Sequence, residues 1–194
     1  GKELKVVMEE RRLRTEDQPR SLVYEKLMAT AFQAHPYRRP IIGWMGDLEQ
    51  MRATDARRWY RDWYSPNNAT LVVVGDVDHQ EVFRLARRHY GGIATRPLPT
   101  RKVSPEPEQL GGKSIHVEAA AKLPYLAMAW KVPKLTDIAR DREGYALEIL
   151  AGILDGHDAA RLARSLVRTR KLAVSVGAGY DATLRGEALF MLDG

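Results

Sequence analysis

The sequence predicts an α+β fold, and three observations carry that prediction. Helical apolar periods and strand-like runs occur in unequal clusters instead of strict alternation. Thr70-Leu71-Val72-Val73-Val74 is a continuous run of the kind found in a strand buried on both faces. From about Ala94 to Gly112 the chain carries Pro97, Pro99, Pro105 and Pro107 with no apolar period, which marks a linker and the best domain boundary available.

The elements follow in order. A helix runs from the start to about Leu13, and Thr15-Glu16-Asp17-Gln18-Pro19 breaks it, with Pro19 suited to the first turn of the next helix. That helix spaces Leu22, Val23, Leu27, Met28 and Phe32 helically. His35-Pro36-Tyr37-Arg38-Arg39-Pro40 is a loop. Thr54-Asp55 caps a third helix with Trp59, Tyr60 and Trp63, ending before Pro66. After the Thr70–Val74 strand, Gly75-Asp76 turns the chain. Asp78 and Glu81 form a capping box for a helix to His89, which Gly91-Gly92 ends. Beyond the linker, Ser114–Glu118 and Pro124–Val132 read as strands. Asp137 opens a helix to Gly156, and Asp158 caps another through Leu162 and Leu166. Leu172–Val176 and Ala188–Leu192 read as strands again.

Glu3 and Glu10 are the first candidates for chemistry. Seven residues is almost two helical turns, so both side chains leave the helix on nearly one line, with Val6, Val7 and Leu13 on or beside it. Carboxylates on a face that should be buried must be paired, hydrogen-bonded or metal-bound. Glutamate is also a good helix former, and Arg11, Arg12 and Arg14 offer surface partners. Spacing alone therefore leaves a solvated acid face as the stronger reading and a functional pair as the weaker.

Composition narrows the classes. The chain has 194 residues, 44% of them hydrophobic, a net charge of +6 and no cysteine. Disulfides, thiol catalysis and cysteine metal sites are excluded. No apolar run is long enough to span a bilayer, and no secretory signal opens the chain. The excess arginines are interleaved with acids along amphipathic helices, which argues against nucleic acid. The first residues read as a helix already under way and the last as a strand cut short, so the chain is expected to be a fragment. None of the five histidines stands four residues from another. His116 and Glu118 alternate on a predicted strand, where a solvated edge is the simpler reading, and His157 suits a helix end. Gly75-Asp76 lacks both phosphate-loop signatures.

Longer motifs then carry a resemblance. Tyr64-Ser65-Pro66-Asn67-Asn68-Ala69 leads into a run ending Val74-Gly75-Asp76-Val77, preceded by His35-Pro36-Tyr37 and Pro40-Ile41-Ile42-Gly43. Asp155-Gly156-His157-Asp158-Ala159-Ala160-Arg161-Leu162 and Leu172–Tyr180 follow the linker. Together they resemble the pitrilysin/insulinase-type zinc metallopeptidases, the inverzincins, and especially a compact bacterial branch similar to mitochondrial processing peptidase. The resemblance implies a processing-peptidase-like metallohydrolase fold containing parts of two homologous domains, each an antiparallel-rich sheet covered by helices. Residues 1–93 would end the first, zinc-binding domain, 94–113 would be the linker, and 114–194 would begin the second.

It also implies a site. Glu10 matches the distal zinc ligand and Glu3 an auxiliary acid, while the His-x-x-Glu-His motif, with two ligands and the general base, would precede Gly1. Zinc-bound water would be the nucleophile of an endopeptidase acting on peptides or unfolded protein segments. The 194-residue chain alone would be inactive and bind zinc poorly. Family likeness further implies a homodimer or a heterodimer with a related subunit, and favours a periplasmic location. The alternative is a non-catalytic partner or scaffold subunit that binds or presents substrate. A reading from another class is a basic module that binds acidic partners.

Overall fold

The computed structural model describes residues 1–194. Its α-helices are α1 (Lys2–Arg11), α2 (Pro19–Ala31), α3 (Met45–Gln50), α4 (Ala53–Trp63), α5 (His79–Tyr90) and α6 (Glu143–Asp155). Its strands are β1 (Ala127–Val132), β2 (Gly177–Tyr180) and β3 (Ala188–Asp193). Helices with a small antiparallel sheet make this the expected α+β fold. Two compact units form: Lys2–Met45 with Ser104–Gly194, and Gly46–Val103 with Gly1. This division describes packing: one break, between Val103 and Ser104, falls inside 94–113, and the other, between Met45 and Gly46, has no counterpart in the sequence reading.

In the first unit the sheet runs β1-β3-β2 with both pairs antiparallel. Strand β3 is central, and Ala188, Leu189 and Phe190 are all buried, as a strand covered on both faces requires. The register sets Phe190 opposite Trp130 on one side and Tyr180 on the other, so three aromatic side chains share a face. Helix α6 packs on β2, and Asp155 at its end accepts a hydrogen bond from Ala178 N–H at 3.3 Å. Helix α2 packs on β1 and buries Phe32, with the Lys131 ammonium 5.6 Å over its ring. Pro19 occupies the first turn of α2, where no N–H is needed.

Several expected elements change. Residues 137–142 form a turn, and α6 begins only at Glu143. The Asp141 carboxylate gathers the N–H groups of Thr136 and Asp137 at 2.7 and 2.8 Å, a local closure that competes with helix. The helix predicted after Asp158 is mostly a π-helical turn, Ala163–Thr169. Ser114–Glu118 and Leu172–Val176 are irregular, and residues 94–126 hold no helix or strand.

In the second unit Asp55 accepts from Arg52 N–H at 2.9 Å and closes the first turn of α4 from within, so the helix starts before the predicted cap. Asp78 caps α5 by accepting from Glu81 N–H at 2.8 Å. The Glu81 carboxylate turns to Arg84 at 2.7 Å instead of completing the box. The Tyr64–Asn68 motif lashes one loop to another. Buried Ser65 accepts from Arg96 N–H at 3.2 Å, and Asn67 Nδ2 donates to Arg96 O at 3.0 Å. The predicted strand Thr70–Val74 does not form, and its side chains are exposed, Val74 at 92%. A strand needs a neighbour to satisfy its N–H and C=O groups, and no other segment of this chain pairs with it.

Candidate functional site

Helix α1 turns a different face inward from the one expected. Its fully buried residue is Arg11, and Leu4, Val7 and Met8 are half-buried. These four positions follow the i, i+3, i+4, i+7 pattern of one helical face. At about 100° per residue the line of Glu3 and Glu10 lies roughly 90° around the helix from Arg11. The acids therefore flank the buried stripe, and Val6, 60% exposed, lies beyond them. The expectation that Glu3 and Glu10 share the buried face is corrected, because the buried position belongs to a paired arginine.

That arginine is held from several sides. Arg11 Nη1 and Nη2 donate to the two carboxylate oxygens of Glu25 on α2 at 2.8 and 3.1 Å, and Nη1 also donates to Gly43 O at 2.8 Å. Both side chains are 5% exposed. Glu16 lies 3.4 Å from Nε, a charge contact that leaves Nε without a hydrogen bond. The hydrogen bond to Glu25 is the main reason the Arg11 pKa is raised. Gly43 has φ of 86°, a left-handed conformation that glycine adopts without strain, and its N–H closes a turn onto Pro40 O at 2.9 Å. The π-helical turn Arg12–Glu16 follows Arg11 directly and shifts the helical phase there.

Glu10 is the more constrained of the two predicted acids. Its side chain is 41% exposed, and it pairs with Arg14 at 2.9 Å, itself well exposed. Glu3 is exposed in the first turn. No group of three or more His, Cys, Asp or Glu side chains converges as a metal site. Glu10 fits as a single donor, since a partly exposed carboxylate paired only with a solvent-exposed cation is available to another ligand. His116 and Glu118 lie on irregular chain, and neither belongs to a converging group of three or more such side chains.

A second buried acid lies in the Pro-rich stretch. Glu106, with its side chain 2% exposed, accepts from the N–H groups of Gln33, Ala34 and His35 at 2.7–2.9 Å and from the Lys131 ammonium at 2.9 Å. Burial pushes its pKa up, but those donors outweigh it and lower the value to about 2. The clasp fixes the His35-Pro36-Tyr37 loop. His35 Nδ1 accepts from Tyr37 N–H at 3.2 Å, and Tyr37 Oη accepts from Arg185 and Gly186 N–H at 3.1 and 3.2 Å.

Arg11, Glu25, Glu106 and Lys131 were not among the predicted site residues. For the first pair a signal exists. Arg11 completes the stripe of Leu4, Val7 and Met8, and Glu25 interrupts the apolar face of Leu22, Met28 and Phe32. Glu106 has no periodic neighbours to reveal it.

The description "Peptidase M16 inactive domain" matches residues 50–193, a span that contains neither Glu3 nor Glu10. The zinc protease PqqE of Helicobacter pylori is 31% identical over 193 residues, which is 97% of this chain and 42% of that protein. The chain thus spans less than half of that relative's length. A solved protease from Helicobacter pylori superposes with a TM-score of 0.86 at 30% identity, over 98% of this chain and 46% of that one. Two further structures superpose at 0.65, each with 21% of its own length covered. They are the ferredoxin protease FusC in complex with Arabidopsis ferredoxin, 16% identical over 99% of this chain, and the periplasmic protease PqqL from Escherichia coli, 17% identical over 98%. At that identity the likeness extends to the fold alone.

Proposed function

This chain belongs to the peptidase M16 family, and from that premise we propose that it is the part of a longer zinc endopeptidase that contributes the distal metal ligand, Glu10. The observation that carries the reading is the placement of Glu3 and Glu10 on one line of α1, beside its buried stripe, with Glu10 engaged only by surface Arg14. Exposed Val6 and Leu13 on the far side of that line fit a face that further protein covers. Glu3 is the auxiliary acid. The remaining ligands and the general base belong to a His-x-x-Glu-His motif preceding this chain.

Zinc, when bound, supplies Lewis-acid polarisation of a peptide carbonyl. The part played by this chain is to hold the Glu10 carboxylate at a fixed bearing and to keep Glu3 two turns away on the same line. The substrates are peptides or unfolded protein segments, and the FusC–ferredoxin complex supports a protein substrate. Residues 1–93 and 114–194 belong to two homologous domains joined by 94–113, in a homodimer or a heterodimer with a related subunit. The periplasmic PqqL structure supports the same compartment here, and no helix is long and apolar enough to cross a membrane.

A second reading has its own support. The matched domain is of the inactive type, which favours a non-catalytic partner or scaffold subunit that presents substrate. Cleavage of an extended fluorogenic peptide by the full-length protein distinguishes the two. The endopeptidase reading expects cleavage that a zinc chelator abolishes and added zinc restores. Absence of cleavage by zinc-loaded protein supports the scaffold.

A further inference from the structure

We propose that the buried Arg11–Glu25 pair is a positioning device that sets the rotation of α1 and thereby the bearing of Glu10. The inference rests on reading Glu10 as a metal-binding carboxylate, and it adds residues that reading does not contain.

Helix α1 is ambiguous in its apolar pattern. One line carries Leu4, Val7 and Met8, while Val6 lies on another, with Leu13 almost two turns further on in the π-helical turn. The Glu3–Glu10 line falls between them. Hydrophobic burial alone would not choose strongly between two rotations about 160° apart, because neither line is long or continuous. Arg11 makes the choice. A guanidinium buried away from water requires its acceptors in place, and only the rotation that faces Glu25 and Gly43 O supplies them. The fork geometry also fixes the axial position, since sliding the helix by one residue, about 1.5 Å, breaks both parallel bonds to Glu25. Glu10 is adjacent to Arg11 in the chain, so its Cα–Cβ direction follows from that anchor with no flexible link between. The π-helical turn begins at Arg12, so the phase of α1 is set at its last residues and cannot be imposed from α2 through a continuous helix.

An arginine that served stability alone would be replaceable. Exchanging a buried ion pair for apolar side chains of similar volume often leaves stability unchanged or improved. The test uses the full-length protein with Arg11 and Glu25 both changed to Met, alongside Arg11→Lys, which keeps the charge but loses the fork. Zinc affinity is measured by competition with a chromogenic chelator, and folding by thermal melting. The expected result is a double variant that melts near the parent temperature but binds zinc roughly 10–100-fold more weakly, the range typical of residues that orient a ligand. Arg11→Lys should fall between the two. Parent-like zinc affinity in the folded double variant would overturn the proposal. If the double variant does not fold, Arg11→Lys decides: weakened zinc binding at an unchanged melting temperature supports it, and unchanged binding overturns it. Glu10→Gln is the control for the underlying reading. If that variant keeps its zinc, the ligand assignment has failed. If it loses zinc while both anchor variants keep theirs, only the positioning role has failed.

Discussion

Glu10 and Glu106 hold opposite environments. Glu10 stands on a regular helix, partly exposed, with one surface arginine for company. Glu106 sits in a stretch with no helix or strand, yet four donors enclose it and its pKa falls to about 2. A carboxylate with spare coordination is free to serve a ligand that arrives from elsewhere. A saturated carboxylate is fixed in place and acts as structure. The comparison separates an acid suited to function from an acid that holds the fold, and it assigns the Pro-rich stretch a tethering role beyond that of a spacer.

The largest effect expected from the difference is on stability. Glu106→Ala leaves three backbone N–H groups and the Lys131 ammonium without their acceptor, and should destabilise the full-length protein by about 3 kcal/mol in denaturant unfolding. A loss below ~1 kcal/mol would mean that the clasp does not hold the fold. Glu106→Gln keeps one acceptor oxygen, and its expected loss is smaller, about 1–2 kcal/mol.

Acid should act in the same direction. The folded-state pKa of Glu106 lies below its ordinary value, so its contribution is complete above about pH 4.5 and is lost as pH falls towards about 2. Asp141 and Asp181, lowered by hydrogen bonds to Asp137 and Thr183 respectively, add to the same limb. Glu106→Gln should flatten the fall in melting temperature between those values, and an unaltered acid limb would contradict the assignment. The smallest effect belongs to the partner of Glu10. Arg14→Gln removes an exposed ion pair and should change stability by no more than about 0.5 kcal/mol. A larger loss would mean that Glu10 is structurally committed and not free.

How much of this was legible varies with the kind of information involved. Helices α2, α4 and α5 show as apolar periods with caps or breakers, and β3 shows as an apolar run. Each of these signals is local. Thr70–Val74 carries an equally clear strand signal but forms no strand, because pairing is non-local and no neighbour is supplied. Asp137 looked like a helix start until Asp141 captured the preceding N–H groups. The Glu3–Glu10 line was visible from spacing, while its bearing was not. The stripe that packs inward ends in Arg11, and a charged residue counts as core only once its partner 14 residues away is known. Glu106 was invisible for the same reason, as its donors lie 25 to 73 residues distant.

If Glu10 is a metal ligand, the zinc content of the protein depends on its carboxylate. Full-length protein and its Glu10→Gln variant are purified in parallel, and zinc per polypeptide is measured by atomic spectroscopy together with the melting temperature. About one zinc per chain is expected in the parent, with a variant that folds but retains little zinc. A folded Glu10→Gln protein with the parent's zinc content would contradict the ligand role.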